Sequence, residues 1–416
     1  MKRLVVLGAG TAGTMVANKL RRRLPGDEWQ ITVVDRDHEH LYQPGLLFIP
    51  FTRGDATRSL KPRRRTLHKG IQLLTAEIDA VDPERKIVRL ADGGSVAYDY
   101  LVIATGTSSR PDQTPGLLGP EWRRSIHDFY TYPGACALRT ALQAFPGGRL
   151  VVHVVDQPVK CPVAPLEFTF LAEAYFRDRG MRDQVEIVYV TPLDAAFTKP
   201  VAARSLGRLL DERKIVVETD FLVERVDADR KQIVSYDERE IGYDLLVTVP
   251  LNMGADFIAR SGLGDELNYV PVDKHTLQSR EHPEIFAIGD AADLPTSKAG
   301  SVAHFASEIF VDNFCEYAAG HVMTNSFDGH ANCFVETGDG KGLLIDFNYD
   351  TEPLPGKFPL AGIGPLSLLR ETRANHLGKL AFRWIYWHLL LPGHRLPVPV
   401  RMSMSGKHQP DEEVRS

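Results

Sequence analysis

Between residues 4 and 35 the chain runs strand, glycine turn, helix, strand, acid, and that order leaves few folds open. Leu4-Val-Val-Leu-Gly8-Ala-Gly10-Thr-Ala12-Gly13 reads as a buried strand breaking into a G-x-G-x-x-G turn. Thr14 to Arg23 reads as the helix, and Ile31-Thr-Val-Val-Asp35 as a second strand ending in a carboxylate. A parallel βαβ unit of this kind holds a dinucleotide pyrophosphate at a helix N-terminus. Gly8 permits the tight turn, Gly10 lets the phosphates approach, and Gly13 lets the helix close on the strand. Asp35 is placed to accept ribose hydroxyls, so Gly8, Gly10, Ala12, Gly13 and Asp35 are the first candidate cofactor contacts.

Two later segments identify the nucleotide as FAD. Tyr98-Asp-Tyr-Leu-Val-Ile-Ala104-Thr105-Gly106-Thr107 is a buried strand running into small residues suited to cover the dinucleotide. Glu284-Ile-Phe-Ala-Ile-Gly289-Asp290 sets an acid beyond another strand, at the expected start of a helix. Asp290 can bond the ribityl chain there, while the helix N-terminus faces the flavin and favours its reduced, anionic form. The implied fold class is α/β, with two Rossmann-like domains of the FAD/NAD(P) type and a C-terminal membrane-associating region. Residues 1–110 and 241–320 are expected to form a discontinuous FAD domain around a second unit at 111–240, followed by a C-terminal region at 321–416.

That second unit keeps its strands, Leu150 to Asp156 and Val185 to Val190, but lacks a phosphate turn. Where a second G-x-G-x-x-G should stand the chain reads Gln157-Pro-Val-Lys-Cys161-Pro-Val-Ala-Pro165. With no glycine and several prolines, this turn offers a nicotinamide dinucleotide no seat. It offers a thiol instead, just before a helix expected from Leu166, where the dipole should favour a thiolate. Glu167, in the first turn of that helix, is a candidate base for the thiol or a cap for the helix.

Composition closes off other classes. A net charge of -5 gives no footprint for nucleic acid. The four cysteines, Cys136, Cys161, Cys315 and Cys333, lack metal-site spacing and are too few for a disulfide framework. Cys136 and Cys315 fall in helical runs and read as packing. The apolar N-terminus reads as a strand rather than a secretion signal, and no run of about 18 apolar residues suggests a span. The expected location is cytoplasmic, peripheral on the inner face of the cell membrane.

The glycine turn at 8–13, Ala104-Thr-Gly106, the turn at Cys161, Gly289-Asp290, Thr296-Ser-Lys298-Ala-Gly300 and Cys333 follow one another as in the sulfide:quinone oxidoreductases. The chain resembles that family, and its relative the flavoprotein subunit of flavocytochrome c sulfide dehydrogenase, along nearly its whole length. The resemblance implies that Cys161 and Cys333 form a disulfide or sulfur-bridged pair on the flavin side opposite the quinone. Hydrosulfide would attack this pair, leaving a persulfide on Cys161 and a flavin-proximal thiolate on Cys333 that passes two electrons on. Lys298 is a candidate cation near the flavin, or else a solvated loop lysine. The chain departs from members with three redox cysteines, since Ser125-Ile126-His127 stands where one would lie. Sulfide, or a larger thiol or persulfide, is the expected donor.

The acceptor side is read from the C-terminal end. In residues 374–391, Leu377, Leu380, Ala381, Trp384, Trp387 and Leu391 recur at helical spacing, with His376, Lys379 and Arg383 elsewhere on the helix. Tryptophans beside basic residues suit a helix lying in a bilayer interface. The apolar loop Lys357 to Leu369 precedes it, Phe347 and Tyr349 are candidate walls for a membrane quinone, and Asp411-Glu-Glu-Val reads as a solvated tail. Homo-oligomerisation is left open. The competing functions are a type II NADH:quinone dehydrogenase, which the missing glycine turn disfavours, and an FAD-binding sulfur carrier or electron-transfer subunit without quinone turnover.

Overall fold

A computed structural model describes residues 1–359 and 364–408. The proposed solvated tail at Asp411 and part of the apolar loop before the C-terminal helix lie outside the described residues.

The N-terminal signal folds as its pattern requires. Lys2–Leu7 pairs in parallel with Trp29–Asp35 on one side and Tyr100–Ile103 on the other. Ile285–Ala287 and Gln72–Thr75 complete a five-stranded parallel sheet. Its inner strands are buried along most of their length, as parallel sheets covered on both faces are. The helix Thr11–Arg23 packs against the long helix Gly300–Ala318. The glycine turn therefore sits at the carboxyl edge of the central strand, where the strand order reverses and open α/β sheets leave a crevice.

A second five-stranded parallel sheet is ordered Ile126–His127, Leu245–Val249, Gly148–Val154, Val185–Val190, Val216–Glu218. Leu245–Val249 lies between Ile126–His127 and Gly148–Val154, so the chain returns to the first unit after residue 249 and not at 241. A parallel partner a hundred residues distant leaves no local mark, so the sequence alone places this boundary too early. The C-terminal region adds the hairpin Ala331–Gly338 and Lys341–Phe347, joined by Leu366–Leu368 and Gly356–Phe358. Against this sheet lies the helix Arg373–Ile385, capped by the Thr372 hydroxyl accepting from the Asn375 amide.

Candidate active site

Both nucleotide-type turns and the C-terminal helix open onto one cleft with about 1140 Å³ of atom-free space, its mouth included. The glycine turn contributes Gly10, Thr11 and Ala12, and the two small-residue segments contribute Ala104 to Thr107 and Ile288 to Asp290.

The cradle has the shape a dinucleotide needs. A Cβ on Gly8, at φ +92°, would fall 2.6 Å from the Ala104 carbonyl, and one on Gly13 would fall 1.9 Å from the Gly8 oxygen. Those two glycines serve the protein's own packing. A Cβ on Gly10 would meet nothing within 4 Å, so its empty face is the one offered to a ligand. The Thr105 hydroxyl, buried in the same wall, has no protein partner. Asp35 accepts from the Ala9 amide at 2.6 Å and pairs with Arg63 at 3.1 Å. Part of its capacity for ribose is thus committed to fixing the turn.

Asp290 sits in a single 3-10 turn, Gly289–Ala291, instead of opening a helix. The helix whose N-terminus meets the cleft starts ten residues later, at Gly300. Lys298 lies between them and is buried: its ammonium donates to the carbonyls of Asp290 and Ala292 at 3.0 Å each and sits 3.6 Å from the Tyr269 ring centroid. Burial lowers its pKa to about 8, against the pull of Asp290. The solvated-lysine alternative is therefore excluded.

Cys161 lines the cleft where a second phosphate turn would stand. Its backbone is left-handed, φ +50°, a conformation costly for a residue with a Cβ. Three bonds hold it: its amide donates to the Lys298 carbonyl at 2.6 Å, and its carbonyl accepts from the Ala164 amide at 2.8 Å and the Tyr130 hydroxyl at 3.2 Å. The expected thiolate is not favoured. Burial, then Glu167 and Cys333, push the thiol well above its ordinary pKa, and Lys379 only partly offsets them. The helix Ala164–Asp178 begins three residues on, and desolvation outweighs its N-terminus.

Cys333 stands on Ala331–Gly338, close enough for its charge to act on Cys161, and both thiols are unbridged. Burial, then Glu167, push it up to about 12, opposed by Lys379 and the Ser301 hydroxyl. Of the two thiols, Cys161 lines the cleft. Cys136 and Cys315 are half-buried against the core, as expected of packing residues.

Glu167 is buried, and its carboxylate accepts the Glu336 amide at 2.7 Å and the Lys379 ammonium. Burial raises its pKa; Lys379 and the Glu336 amide work against that. It acts as one half of an ion pair, where a lone base or helix cap was expected. Lys379, placed by sequence only off the apolar stripe of its helix, reaches inward to line the cleft.

The sequence also missed Phe382 and Tyr386, which line the cleft from the same C-terminal segment. Tyr386 bonds the Thr11 hydroxyl at 2.8 Å and His40 at 2.7 Å, tying that segment to the glycine turn. Phe347 and Tyr349 lie elsewhere: Phe347 is buried under Lys199, and the Tyr349 hydroxyl donates to the Lys274 carbonyl. Neither lines the cleft. The stripe along residues 374–391 is also split. Leu377, Leu380, Ala381 and Trp384 face outward, whereas Trp387 and Leu391 are buried. The helix passes into a π turn at Tyr386–Leu390, whose extra residue per turn rotates the later side chains toward the core. Among the described residues, no helix is long and apolar enough to cross a membrane.

The cradle fits FAD, and the chain is an FAD-dependent oxidoreductase with an α/β flavoprotein fold. The family model for pyridine nucleotide-disulphide oxidoreductases matches residues 2–152. Over nearly its whole length the chain is a relative of the sulfide:quinone oxidoreductases. It is 27% identical to the mitochondrial sulfide:quinone oxidoreductase of Mus musculus, over 94% of this chain and 86% of that one. It is also 27% identical to the protein of the same name from Schizosaccharomyces pombe, over 93% and 89%. Its fold matches the solved sulfide:quinone oxidoreductase of Aquifex aeolicus with a TM-score of 0.79 at 19% identity, over 95% of this chain and 92% of that one.

Proposed function

We propose that this protein oxidises sulfide, or a related small thiol or persulfide, and passes the electrons through FAD to a membrane quinone. The observation that carries this reading is the thiol of Cys161 on the flavin cleft, in the turn where a nicotinamide dinucleotide would need glycine. Hydrosulfide attacks one sulfur of the oxidised Cys161–Cys333 pair and breaks the S–S bond, leaving a persulfide on one cysteine and a thiolate on the other. Bound FAD supplies a two-electron carrier between that thiolate and the quinone. Lys379, held by Glu167, lends positive charge beside the thiol that carries the developing anion. The balance is HS⁻ plus H⁺ plus quinone giving sulfane sulfur, retained on cysteine, plus quinol.

The same reading lays residues 374–391 on the membrane at the inner face of the cell. The support is an inverted amphipathic helix. Leu377 and Trp384 are 62% and 59% exposed, while His376 and Lys379 turn inward to carboxylates. Phe382 and Tyr386, on the cleft side, give the quinone an apolar wall.

The test is the visible spectrum of the anaerobic holoenzyme after sulfide, or separately NADH, followed by decylubiquinone. Bleaching by sulfide and recovery with quinone, with no response to NADH, is the expected result. Bleaching by NADH alone overturns the reading.

A further inference from the structure

Beside the cleft lies a second buried acid that the sulfide cycle does not use. Glu336, on the strand that carries Cys333, is 1% exposed. Its carboxylate is met by His376 Nδ1, at 2.9 Å to Oε2 and 3.1 Å to Oε1. The Glu336 amide donates to Glu167, whose carboxylate holds Lys379 at the cleft wall. The His376 side chain is 24% exposed, so it reaches solvent from the helix with the outward apolar face. The surface imidazole thus touches a buried acid whose backbone amide holds the carboxylate paired with the cleft-lining cation, and together these groups make a polar seam beside the cleft.

Glu167 and Glu336 are two buried carboxylates facing one permanent cation, Lys379, and burying an unpaired carboxylate is costly. The groups facing the seam are Glu336 from the hairpin strand, Glu167 from the helix after the cysteine turn, Lys379 from the same helix as His376, and the Cys161 and Cys333 thiols. A surface imidazole in contact with a buried carboxylate is an arrangement that a proton relay can use.

We infer that His376 and Glu336 form the proton path by which the cleft draws on solvent during quinone reduction. This rests on the sulfide:quinone reading. Quinol takes two electrons and two protons; hydrosulfide brings one proton and the second comes from water. That proton enters at His376, passes to the Glu336 carboxylate across the 2.9 Å contact, and reaches the Glu167–Lys379 pair by a swing of the carboxyl or one bridging water. His376 and Glu336 are positioning and relay residues, touching no substrate.

The experiment separates the half-reactions. Holoenzyme is reduced with dithionite and re-oxidation of its flavin by decylubiquinone is followed in wild type, His376→Ala and His376→Asn, with and without free imidazole. Both variants are expected to re-oxidise at least tenfold more slowly, to bleach with sulfide within twofold of wild type, and, for His376→Ala, to recover on adding imidazole. A structural role alone would give no such rescue. Unchanged re-oxidation, or slowing that imidazole does not relieve in a variant retaining its flavin, overturns the relay. Wild type that decylubiquinone fails to re-oxidise overturns the quinone reading, and the relay with it.

Discussion

The amide of Cys161 donates to the carbonyl of Lys298 at 2.6 Å, a bond that joins the cysteine turn of one parallel sheet to the segment leading into the flavin-facing helix of the other. Through it the thiol's position is set by both sheets at once, and its left-handed backbone is held where a glycine would ordinarily be chosen. Electron transfer between a cysteine and a flavin depends on such a fixed separation, and a loose turn would not supply one.

The glycine turn separates packing from binding. Gly13→Ala should fail to give soluble protein, because its methyl meets the Gly8 carbonyl oxygen at 1.9 Å, a backbone atom fixed by the turn. Gly10→Ala meets no protein atom and should fold, while losing most of its FAD. Flavin absorbance relative to protein absorbance in purified Gly10→Ala checks this, and full flavin content would show that the phosphates do not approach there.

Reactivity of the reduced thiols should be low at neutral pH. Cys333 sits at about 12 and Cys161 is raised as well, both chiefly by burial. These are folded values raised above an unfolded value of roughly 8.5, so the neutral thiols stabilise the fold below that pH, and the contribution fades as pH climbs toward 12. Iodoacetamide labelling at pH 8, mapped by peptide mass, should therefore be at least about tenfold slower at Cys161 and Cys333 than in the unfolded chain. A thiol of high pKa is a strong nucleophile once ionised, which suits a thiolate released only when sulfide opens the pair. Labelling as fast as in the unfolded chain would show the thiolates to be preformed.

The site was legible where short spacing fixes it. Gly8 to Gly13, Ala104 to Gly106, Asp290 and Cys161 all meet at one cleft because each ends a parallel strand, and strand ends share an edge. What could not be read depends on helix phase and long-range pairing. Lys379 and His376 could be placed only off the apolar stripe, because spacing gives the faces of a helix but not which face packs on the protein; here the stripe is turned outward and these two residues inward. Trp387 follows the same spacing yet is buried, since the π turn shifts the phase after Ile385. Glu336 carries no sequence signal at all, because its partners lie forty residues and more away.

The outward stripe should be separable from folding. Leu377→Ser with Trp384→Ser removes apolar surface that is already exposed, so stability should change by less than about 0.5 kcal/mol. Binding to phospholipid vesicles should fall at least tenfold in a flotation assay, while turnover with soluble decylubiquinone persists. Undiminished flotation, or a wild type that does not float with vesicles, would overturn the membrane reading of residues 374–391.

The Glu167–Lys379 pair gives the last expectation, because burial makes it asymmetric. Glu167 is sealed from water and Lys379 nearly so, and burial disfavours charge on each, yet Glu167, Cys161 and Glu336 together keep the pKa of Lys379 raised. Lys379→Met strands Glu167 at 1% exposure, next to Glu336, and removing one partner of a buried pair costs about 3–5 kcal/mol. Glu167→Gln in that background removes the stranded charge and should restore most of the loss, so the double variant is the more stable of the two in urea. The acid dependence has a definite sign. Without Lys379 the folded pKa of Glu167 rises further above its unfolded value, so the penalty is present where Glu167 is ionised and shrinks as pH falls through that raised pKa. A Lys379→Met protein no less stable than wild type at neutral pH would mean that Glu167 is already neutral in the native cleft, and that its bond to Lys379 is not an ion pair.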